Sequence, residues 1–123
     1  PNPFDRRLRT RQPERFIGVN RKVLVAATTA CFPDVPFPDV IQLLIDLEFT
    51  AVEIAIHDHG TQMTSERVVQ DLNEAMRVMW DTHRLDISAY DLDMNCTGEE
   101  YYDRFRKICH LAKSTKVVTV NIP

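Results

Sequence analysis

The amino-acid sequence predicts an α/β fold with a parallel β-sheet, and two observations lead to this prediction. From Lys22 onward, short apolar runs typical of strands alternate with runs of helical periodicity, in the order β-α-β-α-β-α-β. Strand starts lie about thirty residues apart, which leaves room for one helix between successive strands. Strands that are separated by single helices pair in parallel through right-handed crossovers. At 123 residues, the chain is the size of one domain.

The first predicted strand is the apolar run at residues 23–27, and a proline-containing loop separates it from the first helix. Pro38 suits the first turn of this helix, where a missing N–H has no partner to lose. Apolar residues then recur at the spacing of one helix face, at Val40, Leu43, Leu44 and Leu47.

The second unit begins with residues 51–56, which are rich in β-branched side chains. Residues 57–60 predict a turn, and Thr64 or Ser65 can cap the helix that follows. One continuous helix is expected from its apolar stripe, which consists of Val68, Leu72, Ala75, Met76, Met79 and His83.

The third predicted strand covers residues 85–90, and the fourth covers residues 117–122. Between them, Thr97 and Glu100 have the spacing of a capping box, in which each side chain bonds the backbone N–H of the other residue. The helix that they would open has an apolar stripe of Tyr101, Phe105, Ile108, Cys109 and Ala112.

Two architectures accept this order of elements, a doubly wound open sheet and a (β/α)₈ barrel. Residues of the second strand alternate between an aliphatic face, with Ile54 at its centre, and a face that carries Glu53 and His57. The same alternation places Tyr90 and Asn121 on the polar face of the third and fourth strands. A central strand of a doubly wound sheet is covered on both faces and is apolar throughout, so the pattern favours the barrel.

A family resemblance agrees with the barrel. The opening strand with its threonines at residues 25–29, the leucine-rich helix after it, and residues 49–54 with Glu53 resemble xylose isomerase-like TIM barrels, and among them the sugar phosphate isomerase/epimerase family. The resemblance covers residues 22–123, which correspond to the N-terminal half of such a barrel, about four βα units without the fourth helix. It implies an α/β domain at residues 23–123 that is the first half of a (β/α)₈ barrel.

The resemblance also implies a cofactor. Members of the family hold a divalent metal, Mn²⁺, Mg²⁺, Co²⁺ or Zn²⁺, with carboxylates and a histidine at the ends of strands five to eight. These strands lie outside this chain, so no metal ligand is assigned to any residue here, and the catalytic residues are unknown. The chain on its own is expected to be incomplete for catalysis.

Active sites of barrel enzymes lie at the C-terminal ends of the strands, and this rule selects the candidate substrate-binding residues. His57 can bond a sugar hydroxyl or move a proton near neutral pH. Glu53 lies deeper and needs a hydrogen-bonding partner, because an unpaired buried carboxylate is costly. Tyr90 and Asn121 are expected to line the same pocket. Asp91 is assigned to a turn rather than to the site.

Residues 1–22 form a basic N-terminal arm, with seven lysines and arginines against two acidic residues. Nucleic-acid binding is not expected of it, because few aromatic residues are interleaved with the basic ones. The sequence has no apolar run of membrane-spanning length. Three widely spaced cysteines, with no metal-ligand rhythm, indicate reduced thiols in a cytoplasmic protein.

The predicted function is that of a metal-dependent isomerase or epimerase of a small sugar or sugar phosphate, which transfers a proton next to a carbonyl group. The alternative is a non-catalytic half barrel. Four strands leave two open edges, so such a chain should self-assemble as a homo-oligomer or recruit a partner. A flavodoxin-like domain is less favoured, because the sequence contains three glycines and no glycine-rich loop.

Overall fold

The structure, a computed structural model, describes residues 25–82 and 84–123. The predicted basic arm at residues 1–22 lies outside the described residues, as does the start of the first predicted strand. Helices and strands follow in the order β1 (Ala26–Thr28), a 3₁₀ helix (Thr29–Cys31), α1 (Phe37–Asp46), β2 (Ala51–His57), α2 (Ser65–Gln70), α3 (Leu72–Trp80), β3 (Asp86–Asp93), α4 (Gly98–Ser114) and β4 (Val120–Asn121). None of the helices in these two ranges has the length and apolar character needed to cross a membrane.

The four strands form one sheet in the order β1-β2-β3-β4, and every neighbouring pair is parallel. This confirms the predicted α/β class with a parallel sheet. Strand order follows chain order without the reversal that defines a doubly wound sheet. Such a sheet is compatible with half of a (β/α)₈ barrel.

A single hydrophobic core fills the space between one face of the sheet and the helices. All four helices contribute to it, and Val52, Ile54 and Ile56 of β2 are fully buried there. The buried helix residues are Phe37, Val40, Ile41, Leu44, Val68, Ala75, Met79, Ile108, Leu111 and Ala112. The helices therefore lie on one side of the sheet, and its other face is left to more polar side chains.

One irregularity in the pairing of β2 with β3 reverses the predicted orientation of Tyr90. The β3 partners of Val52 and Glu53 are two positions apart, so Ser88 is an extra residue, which forms a β-bulge. Beyond the bulge, Tyr90 pairs with Ile54 and is fully buried on the helix-covered face. The prediction that Tyr90 lies on the polar face is wrong, because it assumed uninterrupted alternation along the third strand.

The buried phenol of Tyr90 connects β3 to the end of α4. Its oxygen lies 2.7 Å from Oγ1 of Thr115, whose hydroxyl in turn donates to the carbonyl oxygen of Leu111 at 2.7 Å. Because a threonine hydroxyl has one proton, Tyr90 is the donor to Thr115. Burial raises the pKa of Tyr90 to about 12, although the bond to Thr115 acts in the opposite direction. The phenol is thus a neutral structural donor at physiological pH.

The stripe at residues 68–83 predicted one helix, but the described part of it contains two. Asp71 ends α2 with an extended backbone, and its side chain accepts a hydrogen bond of 3.0 Å from the N–H of Glu74 at the start of α3. Aspartate favours such caps because its short carboxylate competes for nearby backbone donors. The predicted cap at Thr64 is confirmed, since its side chain accepts from the N–H of Arg67.

Helix α4 begins without the predicted capping box. Thr97 is its N-cap but makes no side-chain cap bond, and Glu100 accepts a hydrogen bond from Nη2 of Arg104 at 2.7 Å. Gly98 enters the helix with a φ of 67°. The carboxylate of Glu100, which a capping box would use to bond the N–H of Thr97, is engaged instead in an (i, i+4) ion pair with Arg104.

The second residue after α1 and the second residue after α4 are non-glycine residues in the left-handed region. Their φ angles are 67° for Glu48 and 62° for Lys116. After α4, the N–H of Val117 bonds the carbonyl of Ala112 at 2.8 Å, and the N–H of Lys116 bonds that of Lys113 at 3.3 Å. This is the Schellman arrangement, in which glycine is the usual residue.

We expect Lys116→Gly to raise the free energy of unfolding by about 0.5–1 kcal/mol, because glycine adopts positive φ without the steric penalty of a Cβ atom. Urea denaturation measures the change. Lys113→Gly, within the last turn of the same helix, is the matched control and should lower the free energy of unfolding by about 1 kcal/mol. Equal destabilisation by both variants would contradict this account of the helix end.

Candidate functional site

Polar side chains from three strands meet on the sheet face opposite the core. Residues that pair in a parallel sheet lie side by side, and Ala55 pairs with Asp91, which pairs with Asn121. Because alternate residues of a strand share a face, Glu53 and His57 lie on this face as well. We call Glu53, His57, Asp91 and Asn121 the polar face. His57 and Asp91 lie at the C-terminal end of the sheet, where parallel α/β enzymes place their catalytic groups.

His57 and Asp91 form the first pair of the polar face. Nε2 of the imidazole lies 3.0 Å from Oδ2 of the carboxylate, and the two side chains are 29% and 36% exposed. An ionised carboxylate only accepts, so Nε2 carries the proton in this bond. In the neutral imidazole, Nδ1 then has the free lone pair. A carboxylate that fixes the tautomer in this way prepares a histidine to take up a proton at the other nitrogen.

Asn121 and Glu53 form the second pair. Nδ2 of the amide donates to Oε2 of the carboxylate at 2.7 Å, across the strand that lies between them. Ala89 pairs with Glu53 on that strand, and its methyl group leaves room for the longer side chains to meet. The partner that Glu53 was expected to need is therefore a neutral amide. The pair offers carboxylate acceptors and an amide to a hydroxylated ligand.

The structure thus brings together three of the four predicted site residues, Glu53, His57 and Asn121, and separates Tyr90 from them. It adds Asp91, which had been assigned to a turn. β3 continues to Asp93, so Asp91 is a strand residue that faces His57. In residues 90–93, apolar Tyr90 and Leu92 alternate with two aspartates. This period of two could have predicted that the third strand continues to Asp93.

Asp58 is a buried carboxylate directly beside His57, and its side chain is 4% exposed. One oxygen accepts from the N–H and the hydroxyl of Ser65, at 2.8 and 2.7 Å. The other accepts from the N–H of Asn95 at 3.0 Å and lies 3.5 Å from Nη1 of Arg104. The carboxylate therefore joins the end of β2 to the start of α2, to the loop after β3 and to α4.

The environment of Asp58 keeps it ionised. Burial by itself would raise its pKa, but the hydrogen bonds from Asn95 and Ser65, together with the charge of Arg104, outweigh burial and hold the pKa below the ordinary value of 3.8. The backbone N–H of Asp58 also donates to the carbonyl of Asp93 at 2.9 Å. Asp58 thus fixes the ends of the two strands that carry His57 and Asp91.

Gln62 holds the loop between β1 and α1 in place. Its buried amide nitrogen lies 2.7 Å from the carbonyl oxygen of Phe32, 3.1 Å from that of Val35 and 3.3 Å from that of Thr29. In the same region, the hydroxyl of Thr29 accepts from the N–H of Ala55 at 2.9 Å. The loops after β1 and β2 therefore form one connected wall beside His57.

The polar face does not supply a ligand set for the divalent metal that the resemblance implies. Across residues 25–82 and 84–123, no group of three histidine, cysteine, aspartate or glutamate side chains is arranged to hold a metal ion. The donor atoms of the polar face are also engaged in two separate pairs. These residues do not fit a metal site by themselves.

The polar face can therefore orient a histidine for proton transfer and bond the hydroxyl groups of a ligand. Comparisons of the chain with protein-family models, with curated proteins and with solved structures gave no match.

Proposed function

We propose that this chain contributes the substrate wall of a metal-dependent isomerase or epimerase that acts on a small sugar or sugar phosphate. The observation that carries the proposal is the pairing of His57 with Asp91 beside the pairing of Glu53 with Asn121, on one face of a parallel sheet. The sequential strand order and the resemblance of residues 22–123 to xylose isomerase-like barrels support a (β/α)₈ half barrel as the scaffold.

The proposed reaction moves a proton at the carbon next to a carbonyl group. His57 accepts or returns the proton at Nδ1, and Asp91 stabilises the imidazolium that forms. Glu53 and Asn121 bond the hydroxyl groups of the sugar, so that its carbonyl end is held near His57. The metal that the resemblance implies would need ligands from outside the described residues.

Exchange of substrate protons with solvent tests the proton transfer assigned to His57, a step whose acid–base group lies in this chain even though complete isomerisation is expected to need residues from outside it. The protein is incubated in D₂O with a panel of aldoses, ketoses and their phosphates, in the presence of Mn²⁺, Mg²⁺, Co²⁺ or Zn²⁺. We expect proton NMR to show loss of the signal at the carbon next to the carbonyl for at least one sugar. Exchange no faster than in protein-free solutions for the whole panel would contradict the function for this chain.

A second candidate is the non-catalytic half barrel that self-assembles, and the exposed apolar side chains at the sheet edges favour it. Val118 and Ile122 flank β4 and are 94% and 55% exposed, and Val25 precedes β1 and is 59% exposed. Edge strands with exposed apolar residues are ready to pair with another chain. In this proposal β4 of one copy pairs with β1 of a second copy, as in a closed eight-strand barrel.

Under this second proposal, we expect the 14.2 kDa chain to sediment as a dimer and Val118→Lys to sediment as a monomer. A charge on the edge prevents apolar contact with the second copy. Val69→Lys is the matched control, since Val69 is an exposed valine on α2 and not at the edge of the sheet, and this variant should remain a dimer. A monomeric parent protein would contradict self-assembly. Dimerisation of both variants would show that the β4 edge is not the dimer interface.

A further inference from the structure

A small cavity lies beside His57, between the 3₁₀ helix after β1 and the loop after β2. Its volume of about 50 Å³ holds about three water-sized groups, which is too little for a sugar ring. Ala55 and His57, alternate residues of β2, both line it, so the cavity opens at the polar face. It lies next to the groups to which proton transfer is assigned.

Carbon atoms make up much of the cavity wall. Ala30, Pro33, Ala55 and Met63 contribute them, and Ala55 and Met63 are buried. Apolar walls of this kind favour the transfer of a methyl or methylene group out of water. The shape and the lining therefore fit the end of a short carbon chain.

Three polar side chains in the wall, those of Thr29, Thr61 and Gln62, are bonded within the protein. The hydroxyl of Thr61 donates to the carbonyl of Pro33 at 2.8 Å, and the amide nitrogen of Gln62 donates to backbone carbonyls. The hydroxyl of Thr29 accepts from the N–H of Ala55. A ligand hydroxyl inside the cavity would leave water and compete for groups that are already engaged, which is unfavourable.

We propose that this cavity is the subsite for a terminal methyl group of the substrate, so that the preferred substrates are deoxy sugars. The inference rests on the proposed function, because it places the sugar on the polar face with one end in the cavity. It adds a substrate class, since the terminal carbon carries no hydroxyl and no phosphate.

Matched pairs of sugars test this inference by binding. The pairs are D-fucose with D-galactose, L-rhamnose with L-mannose, and D-quinovose with D-glucose, which differ within each pair by one hydroxyl on the terminal carbon. NMR titration of the whole chain follows the His57 imidazole signals and gives both dissociation constants. We expect the methyl sugar of at least one pair to bind about tenfold to a hundredfold more tightly, the range by which an apolar pocket discriminates against an added hydroxyl.

Ala55→Val fills the cavity and should reduce this ratio to about one, because the methyl group then has no space to occupy. Ala51→Val is the matched control. Ala51 is on the same face of the same strand as Ala55, at its N-terminal end, is 2% exposed, and does not line the cavity. This variant should retain the ratio. Thermal unfolding of both variants verifies that they are folded.

The outcomes separate this inference from the function on which it rests. Equal binding of both members of every pair that binds, or a ratio unchanged in Ala55→Val, overturns the methyl subsite and leaves the proposed function standing. If none of the six sugars binds and the His57 signals do not move, the methyl subsite fails, whereas the proposed function is decided by the exchange experiment in D₂O, whose panel also contains sugar phosphates.

Discussion

Asp58→Ala is expected to lower the free energy of unfolding by about 3–5 kcal/mol, the usual effect of breaking a buried, hydrogen-bonded ion pair. The variant removes the acceptor of the N–H groups of Ser65 and Asn95 and one partner of Arg104. Ser65 is buried, and a buried donor is costly without an acceptor, which alanine does not supply. Denaturation in urea at neutral pH measures the difference, and a loss of folding at 37 °C would agree with it.

Asp93→Ala is the matched control, since Asp93 is an exposed carboxylate on the adjacent strand end. It should change the stability by no more than about 0.5 kcal/mol. If the two alanine variants were equally stable, the carboxylate of Asp58 would not be the connection between the loops.

The effect of Asp58 should depend on pH in one direction. Its pKa is lowered in the folded protein, so the stability that it contributes is fully present above pH 3.8, the value for an ordinary aspartate, and is lost as the pH falls through the folded-state pKa. The difference between the parent protein and Asp58→Ala should therefore narrow in acid. A difference that widens with acidification would mean that Asp58 is protonated in the folded state.

His57→Gln is expected to lower the rate of deuterium exchange into the substrate by about 10²–10⁴, the usual contribution of a general base. Glutamine can still donate a hydrogen bond to Asp91, but it has no nitrogen that takes up a proton at neutral pH. The measurement is the ratio of the exchange rates of the parent protein and His57→Gln in D₂O, for the sugar that the parent protein processes fastest.

His59→Gln is the control for this prediction, because His59 is an exposed histidine in the turn that follows β2. His59→Gln should exchange deuterium into the substrate at the rate of the parent protein. Unchanged exchange in His57→Gln, with the binding of the sugar retained, would show that another group moves the proton.

Sequence periodicity could predict the order of the elements and the parallel sheet, because each strand and helix has a local apolar pattern. It also predicted that Glu53, His57 and Asn121 share a face, since β2 alternates regularly. The break between α2 and α3 depends on one side chain, Asp71, whose cap bond to Glu74 outweighs an apolar stripe that continues past it.

Sequence periodicity could not predict the long-range contacts of the site. Asp58 collects donors from residues 7 to 46 positions away, and Gln62 reaches carbonyls 27 to 33 positions away. No local spacing encodes these distances, because they arise when two loops are brought together by the sheet. The polar partners of Glu53 and His57 belong to the same class, since both are on other strands.

The extra residue Ser88 determines which residues of β3 face the helices and which face the polar side, and the site depends on this alternation. Every residue beyond the bulge has exchanged sides relative to an uninterrupted strand, so Asp91 meets His57 while Tyr90 enters the core. Removal of one residue here would turn the carboxylate of Asp91 towards the helices and the phenol of Tyr90 towards the polar face, without changing any other residue of β3. The chemical character of this half of the sheet is thus set by residue count as much as by residue type, and single-residue insertions and deletions in β3 would convert one kind of surface into the other.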